Sequence, residues 1–283
     1  MEETYYVDGI TGVEGKVFLR EWKLSDKNPK KGSAVIIHGL GEHSGRYSEV
    51  AGFLNNLGFE VYCEDLPGFG NSSGKRGDVK NISNYISCIK ALHKRVLSEG
   101  TNAQKMILYG HSMGGLLALW YLETYPRDFD AAIISAPALR PSKKVPGYLL
   151  ILSKIVRLLF PSFPFKNRIN SDQLTDDEAT AEQYREDELT HPIITPRLFW
   201  QLEDVSSKVW ENRDKLPVDL KILFIHGEDD TLVDNEDTKE FFEGINVKDK
   251  VLLLLEGVRH EPHKTSNRTH VFNMIKEWLS QRV

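Results

Sequence analysis

"LYGHSMGG", Leu108–Gly115, decides the fold. A serine sits between glycines, after the apolar run "KMILY" and before the apolar run "LLALWYL". The first run reads as a strand and the second as a helix. A serine in an ordinary turn needs no such neighbours. One held at the tip of a very sharp turn does, because side chains at the flanking positions would collide with adjoining elements. Gly110–Gly114, "GHSMG", fits G-x-S-x-G in this setting. The turn exposes the Ser112 hydroxyl over a helix N-terminus, which favours a developing negative charge. The rival reading is a glycine-rich turn carrying a solvated serine.

The same alternation extends outward in both directions. "TYYVDGI" and "GKVFLREWKL" read as two early strands joined by a glycine-containing turn. "SAVIIHG", "FEVYCEDL", "AAIISAP", "LKILFIHG" and "KVLLLLEG" read as buried strands. Between them, "YSEVAGFLNNLG" and "ISNYISCIKALHKRVLSEG" carry helical spacing and stop on glycine. With "KMILYG" that makes eight strands. Continuous apolar strands alternating with helices imply a mostly parallel eight-stranded sheet flanked by helices. Ligands in such sheets bind at the carboxyl ends of the strands. The rhythm breaks over residues 140–216, which hold "VPGYLLILSKIVRLLFPSFPF", a polar linker and the apolar helix near "PRLFWQLEDV". This segment is expected to be a helical cap inserted into a core of residues 1–139 and 217–283.

A serine hydroxyl needs a base, and the base needs an acid that holds its tautomer. The loop after "LKILFI" offers Glu228, Asp229, Asp230 and Asp234. The loop after "KVLLLLEG" offers His260 and His263. Both loops leave the sheet at the end where Ser112 belongs. His38, His111 and His226 each adjoin a strand-end glycine and are read as satisfying local hydrogen bonds. An oxyanion hole should use the N–H of Met113, directly after the serine, and one from "HGLGEHSGRY". Leu40 is the natural donor there, with Gly39 and Gly41 letting its backbone turn inward. The loop lacks G-x-G-x-x-G and a P-loop lysine, which argues against a nucleotide site.

"HGLGEHSGRY", "GHSMGG", "HGEDDTLVD" and "EGVRHEPHK" together resemble the monoacylglycerol lipase branch of the α/β-hydrolases, close to lysophospholipases and to a serine aminopeptidase family. The resemblance implies the α/β-hydrolase fold, with Ser112 as nucleophile, Asp230 as acid, His260 as base, and Leu40 and Met113 as oxyanion donors. It also implies glycerol-binding roles for Glu42, Arg46, His263 and, in the cap, Tyr184. One departure stands in "EDLPGFGNSSGKRG", where Phe69 replaces the family's usual histidine. No cofactor and no metal are expected.

The implied reaction is cleavage of monoacylglycerol to fatty acid and glycerol through an acyl-enzyme. The alternatives are a lysophospholipase or general carboxylesterase with the same triad, and a catalytically silent lipid-binding protein of the same fold. Glu42 favours a hydroxylated neutral headgroup over a phosphate. The formal charge of −5 over 283 residues argues against nucleic acid as a partner. Two cysteines, Cys63 and Cys88, are too few for a disulfide framework. The N-terminus lacks the apolar stretch of a secretory signal, so a cytoplasmic location is expected, with a lipid ester as substrate. In "YLLILSKIVRLLF" the polar residues Ser153, Lys154 and Arg157 form a narrow stripe. One reading is a cap helix packed on the core. The other is peripheral membrane or lipid-droplet contact through Leu149, Leu152, Ile155 and Leu159.

Overall fold

The β-branched and apolar segments become strands, as their pattern requires. In the computed structural model, which describes residues 1–25, 29–99, 105–140, 156–167 and 169–283, they are β1 (Glu2–Val7), β2 (Val17–Trp22), β3 (Gly32–Ile37), β4 (Phe59–Glu64), β5 (Lys105–His111), β6 (Ala131–Ser135), β7 (Phe165–Lys166), β8 (Ile193–Ile194), β9 (Lys221–Gly227) and β10 (Asp249–Leu255). Eight of them form one sheet in the order β1-β2-β4-β3-β5-β6-β9-β10. From β4 to β10 every pairing is parallel, while β1 and β2 add an antiparallel edge. This is the mostly parallel eight-stranded sheet that the sequence implies.

Parallel strands must be covered on both faces. Alternate residues of β3 accordingly enter two separate cores. Val35 and Ile37 pack with α2 (Ser83–Glu99) and α3 (Met113–Thr124). Ala34 and Ile36 pack on the other face with α1 (Ser48–Asn56) and a C-terminal helix, Arg268–Ser280. Each fully buried aliphatic side chain contributes roughly 1.5–3 kcal/mol. Gly58 ends α1 in a left-handed conformation, φ +94°, with its N–H donating to the Asn55 carbonyl. Cys63 and Cys88 are buried free thiols.

The segment between β6 and β9 departs from the β/α rhythm. It contains a helical stretch at residues 156–159, α4 (Ser171–Leu174), α5 (Glu178–Glu186) and α6 (Pro196–Glu211). Asp177 caps α5 by accepting the Thr180 N–H, and Thr195 caps α6 by accepting that of Leu198. Strands β7 and β8 form a two-stranded antiparallel ribbon that the sequence pattern does not announce. Helix α6 is strongly amphipathic, and its Leu198, Val205 and Val209 join the α2–α3 core. Leu149, Leu152 and Ile155 lie outside the described residues, and Leu159 is 63% exposed. After β9 come α7 (Asn235–Gly244) and then α8, the Arg268–Ser280 helix already met on the other face.

Candidate active site

The glycines around Ser112 are explained by what surrounds them. Ser112 adopts φ +54°, ψ −116°, a region that L-residues rarely occupy. A Cβ at Gly110 would lie 2.5 Å from the Gly114 carbonyl oxygen. One at Gly114 would overlap the carbonyl oxygens of Ile37 and His38. The turn therefore closes only with glycine at both places, and it leaves the Ser112 Oγ at the end of β5 with α3 starting at the next residue.

Three strand-end loops converge on that hydroxyl. His260 follows β10, and its Nε2 lies 2.9 Å from Ser112 Oγ. His260 Nδ1 lies 2.7 Å from Asp230 Oδ2, on the loop after β9. Asp230 Oδ1 accepts the N–H groups of Leu232 and Val233, at 2.8 and 3.0 Å. Burial works to raise the Asp230 pKa, but the His260 and His226 imidazoles outweigh it and hold the carboxyl well below its usual range. Burial equally works to lower the His260 pKa, and the Asp230 carboxylate outweighs it, so His260 stands above an ordinary histidine. A carboxylate facing Nδ1 makes that nitrogen the donor and leaves Nε2 to accept the serine proton.

Met113 directly follows Ser112, and Leu40 stands on the loop after β3 that reaches Ser112. Met113 is the first residue of α3, so its N–H has no intrahelical partner. Leu40 lines the same pocket, after Gly39, whose Cα hydrogen side faces Ser112 Cβ. The loop is held open from below: the Gly39 N–H donates to Glu42 Oε1 at 2.5 Å, and the Tyr47 hydroxyl donates to the same oxygen at 2.7 Å.

The narrow pocket beside Ser112 is lined by Leu40, Glu42, Arg46 and Tyr184, with Ile169 and Leu174 joining from the segment between β6 and β9. Arg46 Nη1 lies 3.4 Å from Glu42 and Nη2 donates to Glu261 at 2.7 Å. The Tyr184 ring covers the Arg46 guanidinium at 4.7 Å. Burial works to raise the Glu42 pKa, and Arg46, His111 and His38 outweigh it, taking it down to about 2. Burial pushes Glu261 up against the opposing pull of Arg46. The cation is thus flanked by two carboxylates, which makes the wall a hydrogen-bonding surface of little net charge.

His263 lies one layer further back. It is buried, stacked on Tyr47 at 5.1 Å and edge-on to His111 at 5.0 Å, and neither ring nitrogen has a partner among the described residues. Burial holds its pKa well below that of a free histidine, so it is neutral. Two groups gain their place from partners that no local pattern shows. Glu261 bonds Arg46, which lies in a distant loop. His226 makes the local hydrogen bonds its position implies, and one of them reaches the site: its Nε2 lies 3.0 Å from Asp230 Oδ2. At the departure from the family pattern, Phe69 fills its place by stacking on His191 at 5.2 Å, with His38 on its edge.

The inserted segment is bonded directly to these loops. The His191 N–H donates to the Gly41 carbonyl, and the Glu261 N–H to that of Leu174. His43 Nε2 lies 2.8 Å from Asp187. Among the described residues no helix is long and apolar enough to cross a membrane.

Comparison with known proteins agrees with this architecture. The family described as serine aminopeptidase, S33, matches residues 28–267. A monoacylglycerol lipase of Mycolicibacterium smegmatis is 26% identical over 271 residues, covering 95% of each chain. An uncharacterized abhydrolase domain-containing protein of Dictyostelium discoideum is 29% identical over 97% of this chain, which spans 29% of that longer protein. The crystal structure of a monoacylglycerol lipase from Paleococcus ferrophilus superposes with a TM-score of 0.84 at 29% identity, covering 94% of this chain and 99% of that one. This chain belongs to the serine aminopeptidase S33 family, in the monoacylglycerol lipase branch of the α/β-hydrolases, and is a carboxylic ester hydrolase.

Proposed function

We propose that the ester cleaved is that of a monoacylglycerol, and that Ser112, His260 and Asp230 cleave it. One observation carries the reading: the unbroken run Ser112–His260–Asp230 opens onto a pocket walled by Glu42, Arg46 and Tyr184. In this reading His260 takes the Ser112 proton as Oγ attacks the ester carbonyl. The oxyanion rests between the Leu40 and Met113 N–H groups. Collapse breaks the bond to the alcohol, which leaves as glycerol with the proton from His260. Water then repeats the sequence on the acyl-enzyme, freeing the fatty acid and restoring the serine.

Glu42, Arg46 and Tyr184 would hold the glycerol hydroxyls. A guanidinium already flanked by Glu42 and Glu261 has little charge left for a phosphate, so the reading favours a neutral headgroup over a lysophospholipid. His263 would act on the same wall from behind, through Tyr47 and His111. Residues 140–216 would form the lid over a core of 1–139 and 217–283. Leu158, Leu159, Phe160, Phe163 and Phe165 are 81, 63, 61, 55 and 44% exposed. Such an apolar rim suits peripheral contact with a lipid surface, from which the substrate is drawn.

The test is a comparison of kcat/KM for 1-monoacylglycerols, matched lysophosphatidylcholines and p-nitrophenyl butyrate. The reading requires monoacylglycerol to be preferred over the lysophospholipid of equal chain length by about tenfold or more, roughly 1.4 kcal/mol. It also requires Tyr184→Phe, which keeps the ring on Arg46 and leaves the Gly39–Leu40 loop untouched, to reduce that preference while p-nitrophenyl butyrate is still cleaved. Equal rates on both lipids would overturn it.

A further inference from the structure

The acid of the triad is held by two histidines. Asp230 Oδ2 lies 2.7 Å from His260 Nδ1 and 3.0 Å from His226 Nε2. The side chains of His226 and Asp230 are both fully buried. On its other edge, His226 Nδ1 lies 2.8 Å from the Thr238 hydroxyl, in the first turn of α7. Thr238 is itself fully buried. Oδ1 is occupied separately, by the Leu232 and Val233 N–H groups.

These contacts dictate where the protons sit. An ionised carboxylate only accepts, so each imidazole nitrogen facing Oδ2 carries a hydrogen. In the neutral ring His226 is then the Nε2–H tautomer, and its bare Nδ1 accepts from the Thr238 hydroxyl. The direction runs Thr238 to His226 to Asp230, meeting at Oδ2 the bond that arrives from His260. His226 sits on β9 and Asp230 four residues later, so a strand residue clamps the loop residue that follows it.

We propose that His226 is a positioning residue for the hydrolysis, acting through Asp230; the proposal rests on the reading of Ser112, His260 and Asp230 given above. Its Nε2–H does two things at once. It fixes the carboxylate rotamer so that Oδ2 faces His260, which a loop aspartate held only by two backbone groups on its other oxygen would not guarantee. It also draws on the oxygen that His260 shares, which limits how strongly Asp230 attracts the His260 proton. Without it, His260 would hold its proton to a higher pH, and less of the enzyme would carry a free base near neutrality. Buried polar groups of this kind are costly when left half-satisfied, and Thr238 completes the set.

Two amide replacements separate the two edges of the ring. In His226→Gln the side-chain NH₂ can reach the place of Nε2 and keep the bond to Asp230. In His226→Asn the shorter amide stays near the place of Nδ1, keeping Thr238 and losing Asp230. The proposal expects His226→Asn to lower kcat on p-nitrophenyl butyrate by about 10–100-fold, the scale at which removed supporting hydrogen bonds act elsewhere, with KM changed less than threefold. It also expects the acid limb of kcat/KM to move to higher pH in His226→Asn, and His226→Gln to restore both. A purely structural role would lower stability in both variants and leave the acid limb where it was. Equal behaviour of the two folded variants, or an unmoved acid limb in His226→Asn, would overturn the proposal.

A measurement on the unaltered protein guards against a variant that does not fold. With ¹⁵N-labelled histidine, NMR should find a hydrogen on His226 Nε2, bonded to Asp230, in the active protein. An Nδ1–H tautomer would overturn the proposal. Activity retained in Asp230→Asn would instead break the underlying triad reading, so the two failures are told apart.

Discussion

Asp229 and Asp230 carry the same functional group one position apart, and only Asp230 faces an imidazole. The loop turns between them: the Asp229 N–H is spent on the Val258 carbonyl and its residue is exposed, while the Asp230 carboxylate is buried against His226 and His260. Asp234 has a third task, capping α7 by accepting the Glu236 N–H. Asp230→Asn should therefore cost about 10⁴-fold in kcat, because the amide can present a donor to His260 and reverse its tautomer. Asp229→Asn should stay within about twofold of the unaltered enzyme. Asp234→Ala should leave the rate intact and cost about 1 kcal/mol of stability, the usual worth of an N-cap. Steady-state kinetics and thermal melts on the three proteins check this. The sequence alone left four acids open in this loop, because their spacing from Gly227 does not say which side of the turn faces inward. The resemblance singled out Asp230. Glu261 and His226 were illegible for a different reason. Their importance comes from Arg46 and Asp230, and a lone acid beside a histidine, or a histidine at a strand end, has no pattern of its own.

At the scale of elements, the core strands and helices were readable because parallel strands are continuously apolar and their helices stop at glycines such as Gly58. The inserted segment was less so. The two-residue strands of the β7–β8 ribbon are too short for any periodicity, and nothing local shows that α6 lends Leu198, Val205 and Val209 to the α2–α3 core. What the segment leaves outward is more telling. Leu158 and Phe160 are 81% and 61% exposed, an apolar surface that the proposed contact with a lipid layer would cover. Each such side chain, once buried, contributes roughly 1.5–3 kcal/mol. Leu158→Ser/Phe160→Ser should weaken vesicle binding in a flotation assay by at least about tenfold. The same double variant should hydrolyse p-nitrophenyl butyrate normally, since neither residue lines the pocket at Ser112. Unchanged flotation of the folded variant would remove the membrane role from this rim.

Across the whole molecule, the sheet brings loops from positions 39–47, 110–114, 226–230 and 258–264 to one end, and their charges are set by each other. Asp230 stays ionised, Glu42 is pushed down to about 2, and His111, buried next to His260, is taken down to about 3. Among these groups His260 is the one raised above the ordinary histidine value. Protonated His260 cannot take the Ser112 proton, so activity is absent at low pH and appears as His260 loses its proton. The kcat/KM profile for a soluble ester should rise with pH on a single acid limb, with its midpoint above about 6.5, the free-histidine value. A midpoint below that value would mean that Asp230 does not hold the base.

The proposed hydrolysis requires Ser112 Oγ to be the atom that is acylated. A fluorophosphonate probe reacts with an activated serine and stays attached, so peptide mapping of the labelled protein reads the site directly. The prediction is one adduct per chain, on Ser112, formed in step with the loss of monoacylglycerol hydrolysis, and no adduct and at least ~10⁴-fold lower turnover in folded Ser112→Ala. An adduct on another residue, or near-normal hydrolysis by the folded Ser112→Ala protein, would contradict it.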